Sequence, residues 1–124
     1  MVINNIELEF DMMNAETADA YDSALKAAQD EFGLMKDSKI GLGEVIRRSC
    51  DTVRNVFDAI FGDGVGAEVC PDDNYKAVTE CYSALIDEAK KQIEEMNRIN
   101  QNLSAKYQGN REKSRAAAKI VKAK

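Results

Sequence analysis

The longest periodic run in the chain sets most of what it can become. Tyr75, Val78, Tyr82, Leu85, Ala89, Ile93, Met96, Ile99, Leu103 and Tyr107 follow one another by threes and fours, which is the spacing of one face of an α-helix. Asp72-Asp73-Asn74 stands just ahead with the chemistry of a helix N-cap. Asp87/Lys91 and Glu94/Arg98 add acid-first i,i+4 pairs, worth ~0.3 kcal/mol each. A helix from Asn74 to Tyr107 would run about 50 Å at the standard rise. That is longer than a compact domain of 124 residues. The end beyond Met96 should therefore overhang, leaving Ile99 and Leu103 facing water in a monomer. Exposed apolar strips draw partners, so a homo-oligomer with Met96, Ile99 and Leu103 in the contact is expected.

The segments before it supply two further helices and a hairpin. Ile6, Leu8 and Phe10 alternate with Glu7 and Glu9, the period of a strand with one buried face. Asn4-Asn5 suits a tight turn, because Asn tolerates positive φ. From Asn14, which can cap a helix, Tyr21, Leu25, Ala28, Phe32 and Met35 trace one helical face, ending near Asp37-Ser38. Between Ile40 and Phe61 a second stripe holds Leu42, Val45/Ile46, Cys50, Val53, Val56/Phe57 and Ile60/Phe61, with Arg47, Arg48, Asp51, Arg54 and Asp58 mostly off it. Gly62-Asp63-Gly64 then stops the helix, and one short helical turn fits before Pro71. Only one proline and seven glycines occur in the chain. The expected fold is mainly α: a bundle of three principal helices, the last one long, with a short N-terminal β-hairpin. Residues 1–107 form a single helical domain in this reading, and Gln108-Gly109-Asn110 breaks the long helix ahead of a basic, flexible tail at 108–124.

Charge is distributed unevenly. Residues 1–37 carry nine acids against two lysines, whereas residues 108–124 carry six bases and one acid, within an overall charge of −5. An acidic body with a basic tail suits either an anionic partner or self-association. The tail has no aromatic residue after Tyr107, so nucleic-acid binding is not expected.

Several chemistries are excluded or disfavoured. The chain has no histidine, which removes imidazole bases and ligands. Cys50, Cys70 and Cys81 lack C-x-x-C spacing and cannot all pair within one chain. Gly41-Leu42-Gly43 and Gly62-Asp63-Gly64-Val65-Gly66 lack the flanking strand of a phosphate loop. Asp72-Asp73-Asn74 lacks the spaced ligands of a calcium loop. No apolar window is long enough for a membrane span. The reading is a reduced, cytoplasmic protein that is not an enzyme and takes no metal or cofactor. Its candidate partner-binding residues are Phe57, Phe61, Tyr82, Met96, Ile99 and Leu103. Aromatic anchors carry a disproportionate share of interface energy.

The order of motifs resembles a small, uncharacterised family from tailed phages and prophages of Gram-positive bacteria. Val2-Ile3-Asn4-Asn5-Ile6-Glu7-Leu8 is similar to its "I-N-G-x-E" opening. The run from Cys50 to Gly64, with its paired phenylalanines, resembles that family's "F-G-x-G" stretch. Tyr107-Gln108-Gly109-Asn110-Arg111 is similar to its "Y-x-P-N-R" end. Asn5 stands where the turn glycine is usual, Gly109 where proline is common, and Cys70-Pro71-Asp72-Asp73 in place of a glycine- and asparagine-rich linker. An alanine/lysine run extends the tail. The resemblance carries over no catalytic residues. It implies a tail assembly chaperone acting in the host bacterial cytoplasm on the tape measure or tail tube protein. The alternatives are a tail or head-completion subunit that stays in the virion and a small phage regulator or host-defence antagonist.

Overall fold

Local chemistry places the first turns of the structure, a computed structural model that describes residues 1–122, with side chains described through residue 108. Asn4 and Asn5 both adopt positive φ, 52° and 65°, which is the geometry a two-residue hairpin requires. They join β1 (Val2–Ile3) to β2 (Ile6–Glu7), paired antiparallel with Ile3 opposite Ile6. The ladder is shorter than the alternation to Phe10 predicts, yet the alternation itself is real. Leu8 and Phe10 are buried and Glu7 and Glu9 exposed, because the chain stays extended and lies on the helices after the pairing ends.

Helix α1 spans Ala15–Asp37, capped by the Asn14 side chain accepting from the Glu16 amide at 3.0 Å. Helix α2 spans Leu42–Phe61 and ends at Gly62, φ +117°. Its stripe is displaced from the predicted one at the start. Leu42 is largely exposed, since it falls in the first turn, before α2 meets the core. A single short helix, α3 (Val65–Val69), follows Gly64. Asn74 then caps α4, accepting from the Ala77 amide at 3.0 Å.

Helix α4 is Tyr75–Lys122, so Gln108-Gly109-Asn110 does not end it as the sequence predicts. One glycine inside a helix costs about 1 kcal/mol against alanine. The residues after it, rich in Ala, Lys and Arg, are good helix formers that offset the penalty.

By internal contacts the chain divides into two units, Met1–Gln92 and Ile93–Lys124. The first holds the core: Ile3, Leu8, Phe10 and Met12 from the N-terminal segment, Tyr21, Ala24 and Ala28 from α1, Cys50, Val53, Val56 and Phe57 from α2, Val69 and Cys70, and Val78, Leu85 and Ala89 from α4. Tilted ring pairs join these pieces, Phe10 to Tyr21 at 5.9 Å and to Phe61 at 5.7 Å.

Two polar side chains fasten the unit across long sequence separations. Gln92 accepts from the Met12 amide at 2.6 Å and donates to the Phe10 carbonyl at 2.8 Å, meeting both backbone needs of an extended segment that has no neighbouring strand. Arg54 donates through Nε to the Cys70 carbonyl at 2.7 Å, and its two other nitrogens reach Asp51 at 2.9 Å and Asp73 at 2.8 Å. The sequence pattern puts Arg54 off the apolar stripe. Its side chain is nonetheless mostly buried, because α3 and the turn after it fold back over that side of α2.

Candidate functional site: an apolar strip and a thiol-lined cleft

The second unit begins with residues that a helix places on neighbouring faces. Ile93, Met96, Ile99 and Leu103 recur by threes and a four, so they form a band along the helix. All four are exposed, Leu103 the most at 57%. Tyr107 continues the line and is also exposed. Glu94 and Glu95 flank its start, Arg98 its middle and Lys106 its end. A band of large apolar side chains with charged neighbours is the usual form of a helix-docking surface.

The other sequence-derived candidates lie elsewhere. Phe57 is fully buried and stacks on Phe61 at 5.9 Å, which withdraws it from any docking surface of the folded chain. Its place in the stripe, flanked by Val53 and Val56, is a core position, and helical periodicity alone does not separate core from interface. Phe61 and Tyr82 are half-buried against the core, Tyr82 facing the Phe32 ring at 6.3 Å. The structure thus groups Met96, Ile99 and Leu103, adds Ile93 to them, and leaves the three aromatic residues in the first unit. Ile93 was visible in the sequence as part of the same periodic run.

A cleft of about 380 Å³ opens in the first unit between the hairpin turn, the end of α3 and the start of α4, with Asn4, Cys70, Pro71, Asp72, Glu80 and Cys81 among its walls. Asn4 Nδ2 donates to the Val69 carbonyl at 3.0 Å, tying the hairpin turn to the cleft. Two of the three cysteines, Cys70 and Cys81, line it. Cys70 and Cys81 lie within hydrogen-bonding reach of each other, and Cys50 is near enough to be felt by Cys70. Burial pushes the Cys70 thiol up to about 12, with the neighbouring Cys81 adding to the shift. Burial likewise raises Cys50 and Cys81. A nucleophile needs a thiolate, so this environment works against one. Among the described residues no group of three Cys, Asp or Glu side chains is arranged to hold a metal ion. Among the described residues no fully buried side-chain nitrogen or oxygen lacks a hydrogen bond.

These shifts make an expected result on pH. Thiols with raised folded values stay protonated while the unfolded chain ionises from about 9 upward. Stability is therefore complete below that value and falls as pH climbs toward about 12. Tyr21 and Tyr82, also raised by burial, act in the same sense at higher pH. Urea midpoints measured across the alkaline range check this, and a midpoint that stays level would refute it.

No helix among the described residues is long and apolar enough to cross a membrane. No curated protein and no solved structure matches the chain. A family model does, over residues 4–118, and the chain accordingly belongs to the family of unknown function DUF6673.

Proposed function

We propose that this chain is a non-enzymatic interaction protein of a tailed phage, acting in the host cytoplasm as a tail assembly chaperone. In this role it covers amphipathic segments of the tape measure or tail tube protein until they assemble. The observation that supports docking of a helical partner is the exposed band Ile93, Met96, Ile99 and Leu103, which offers an apolar face at helical spacing. The choice of a phage tail partner rests on the sequence resemblance of the opening, the Cys50–Gly64 run and the Tyr107–Arg111 end. The acidic N-terminal third restricts partners by charge.

Co-expression with the tape measure and tail tube proteins, followed by affinity capture, tests this reading. Capture of one of them is expected. Replacing Ile99 and Leu103 together by glutamate should weaken it at least tenfold, since two buried apolar side chains are worth about 3 kcal/mol or more. Capture of neither protein, or capture that is indifferent to the double substitution, refutes the proposal.

A further inference from the structure

Two thiols of the first unit meet although a proline turn and the start of α4 separate them in sequence. Cys70 follows α3 directly and Cys81 lies in the second turn of α4. Both line the same cleft. Cys81 Sγ is 4.0 Å from the carbonyl oxygen of Val69, the residue before Cys70, and the two sulfurs are within hydrogen-bonding reach of each other. Cys70 has left the helical conformation, with φ −123° and ψ 71°, so bringing the sulfurs closer moves a turn and not a helix. The pair is also asymmetric. Cys70 is buried, whereas Cys81 is only half-buried. Burial raises both thiols, and the hydrogen bond from Cys70 to Cys81 then raises the donor and lowers the acceptor. Cys81 is thus the more accessible sulfur and the first to ionise. Cys50 is fully buried and outside the cleft wall.

We propose that Cys70 and Cys81 are a redox-modification site, where hydrogen peroxide or another hydroperoxide converts the two thiols into a reversible intrachain disulfide that staples the end of α3 to α4. The Cys81 thiolate attacks one peroxide oxygen. An S–O bond forms, the O–O bond breaks, and the departing hydroxide takes a proton to leave as water. The Cys70 sulfur then attacks the Cys81 sulfur. The S–S bond forms, the S–O bond breaks, and a second water carries off the Cys70 proton. Two thiols lose two electrons and one peroxide gains them. Reducing cytoplasm returns such a pair to thiols, the usual setting of a redox-sensing disulfide. The inference does not depend on the phage reading. Failure of the capture experiment above leaves it standing, and its own failure leaves that reading standing.

Treating the full chain with hydrogen peroxide, alkylating the remaining thiols and mapping tryptic peptides reads the bond directly. Trypsin separates the three cysteines, with Cys50 on residues 49–54, Cys70 on 55–76 and Cys81 on 77–90. The expected product links 55–76 to 77–90, leaves Cys50 as a free thiol and is reversed by dithiothreitol. Links through Cys50, links between chains, or sulfinic acid at Cys81 with no link would each overturn the proposal. Equilibration with reduced and oxidised glutathione measures whether the fold favours the bond, since one glutathione disulfide and two protein thiols exchange to one protein disulfide and two glutathiones. The constant should be about tenfold larger for the native chain than for the chain in urea, and the oxidised protein should accordingly unfold at higher urea. A constant no larger in the native chain would mean that the fold holds the sulfurs apart, which overturns the proposal. In Cys81→Ala, Cys70 should lose its thiol to peroxide severalfold more slowly than in the parent. An equal rate would make the two thiols independent and overturn the relay between them.

Discussion

Replacing Gly66 by alanine is expected to destabilise the protein by about 3 kcal/mol, the upper end for an inserted methyl group in a packed site. A Cβ at this position would lie 2.2 Å from the Arg54 carbonyl oxygen and 2.7 Å from the carbon atoms beside it. Those are backbone atoms in the middle of α2, so relief requires moving a helix instead of turning a side chain. Gly66 is also tied to the next turn of the same helix, its amide donating to Asp58 Oδ1 at 2.7 Å. Shifting α3 outward to make room would break that bond. Gly33 is the control. It lies within α1 and an added Cβ there meets nothing within 4 Å, so Gly33→Ala should stabilise by about 0.5–1 kcal/mol through helix propensity alone. Urea denaturation of the two variants should move in opposite directions. Equal, small shifts would mean that α3 packs on α2 more loosely than this close approach implies.

Arg54→Ala should be comparably costly, about 3 kcal/mol, because it strands partners that water cannot easily serve. The guanidinium is mostly buried and its three bonds go to three places: Asp51 on its own helix, Asp73 ahead of α4, and the carbonyl of Cys70. Cys70 itself is buried, so its carbonyl loses its side-chain donor when the arginine goes. Arg54→Lys keeps the charge but offers one point in place of a planar fork, and should recover less than half the loss. By contrast, Arg47 and Arg48 both reach Glu44 on the exposed side of α2. Surface pairs of that kind contribute little, and substituting Arg47 should leave the unfolding midpoint nearly unmoved. The comparison separates an arginine that assembles the fold from two that decorate it. A midpoint for Arg54→Ala within error of the parent would refute the distinction.

The sequence made legible those features that depend on a few adjacent residues. Asn4-Asn5 set the hairpin turn, Asn14 and Asn74 the two helix starts, and Gly62 the end of α2. Each is a local backbone or capping requirement that its own side chain, or lack of one, satisfies. The apolar faces were legible too, because burial selects a period. Features that require two distant segments to meet were not. Nothing in the neighbourhood of Arg54 names Asp73 or Cys70, and nothing near Gly66 announces that a helix backbone will pass against it. The pairing of Cys70 and Cys81 on one cleft was hidden for the same reason, since pattern along one dimension carries no cross-chain distances. Phe57 shows the remaining gap. A large aromatic on an apolar stripe suits an interface and a core equally until the packing partners are known. Leu103 sits on a stripe of the same type and is exposed.

The Gln92 clasp has a consequence for how the chain is made. Ile3, Leu8, Phe10 and Met12 are synthesised well before α4, yet they are buried only in the finished core, and the backbone of Phe10 and Met12 is satisfied by a side chain some eighty residues later. At translation rates of about 5–20 residues per second, that apolar leader waits on the order of ten seconds for α4 to appear. Until then the stretch from Leu8 to Met12, which has no strand partner of its own in the fold, lacks the side chain that serves its backbone, the kind of stretch on which nascent chains aggregate. Glu7, Glu9 and Asp11, interleaved among these residues, act as its gatekeepers. Their charges, which contribute little to the folded core, protect the protein at the stage of its life when it has none.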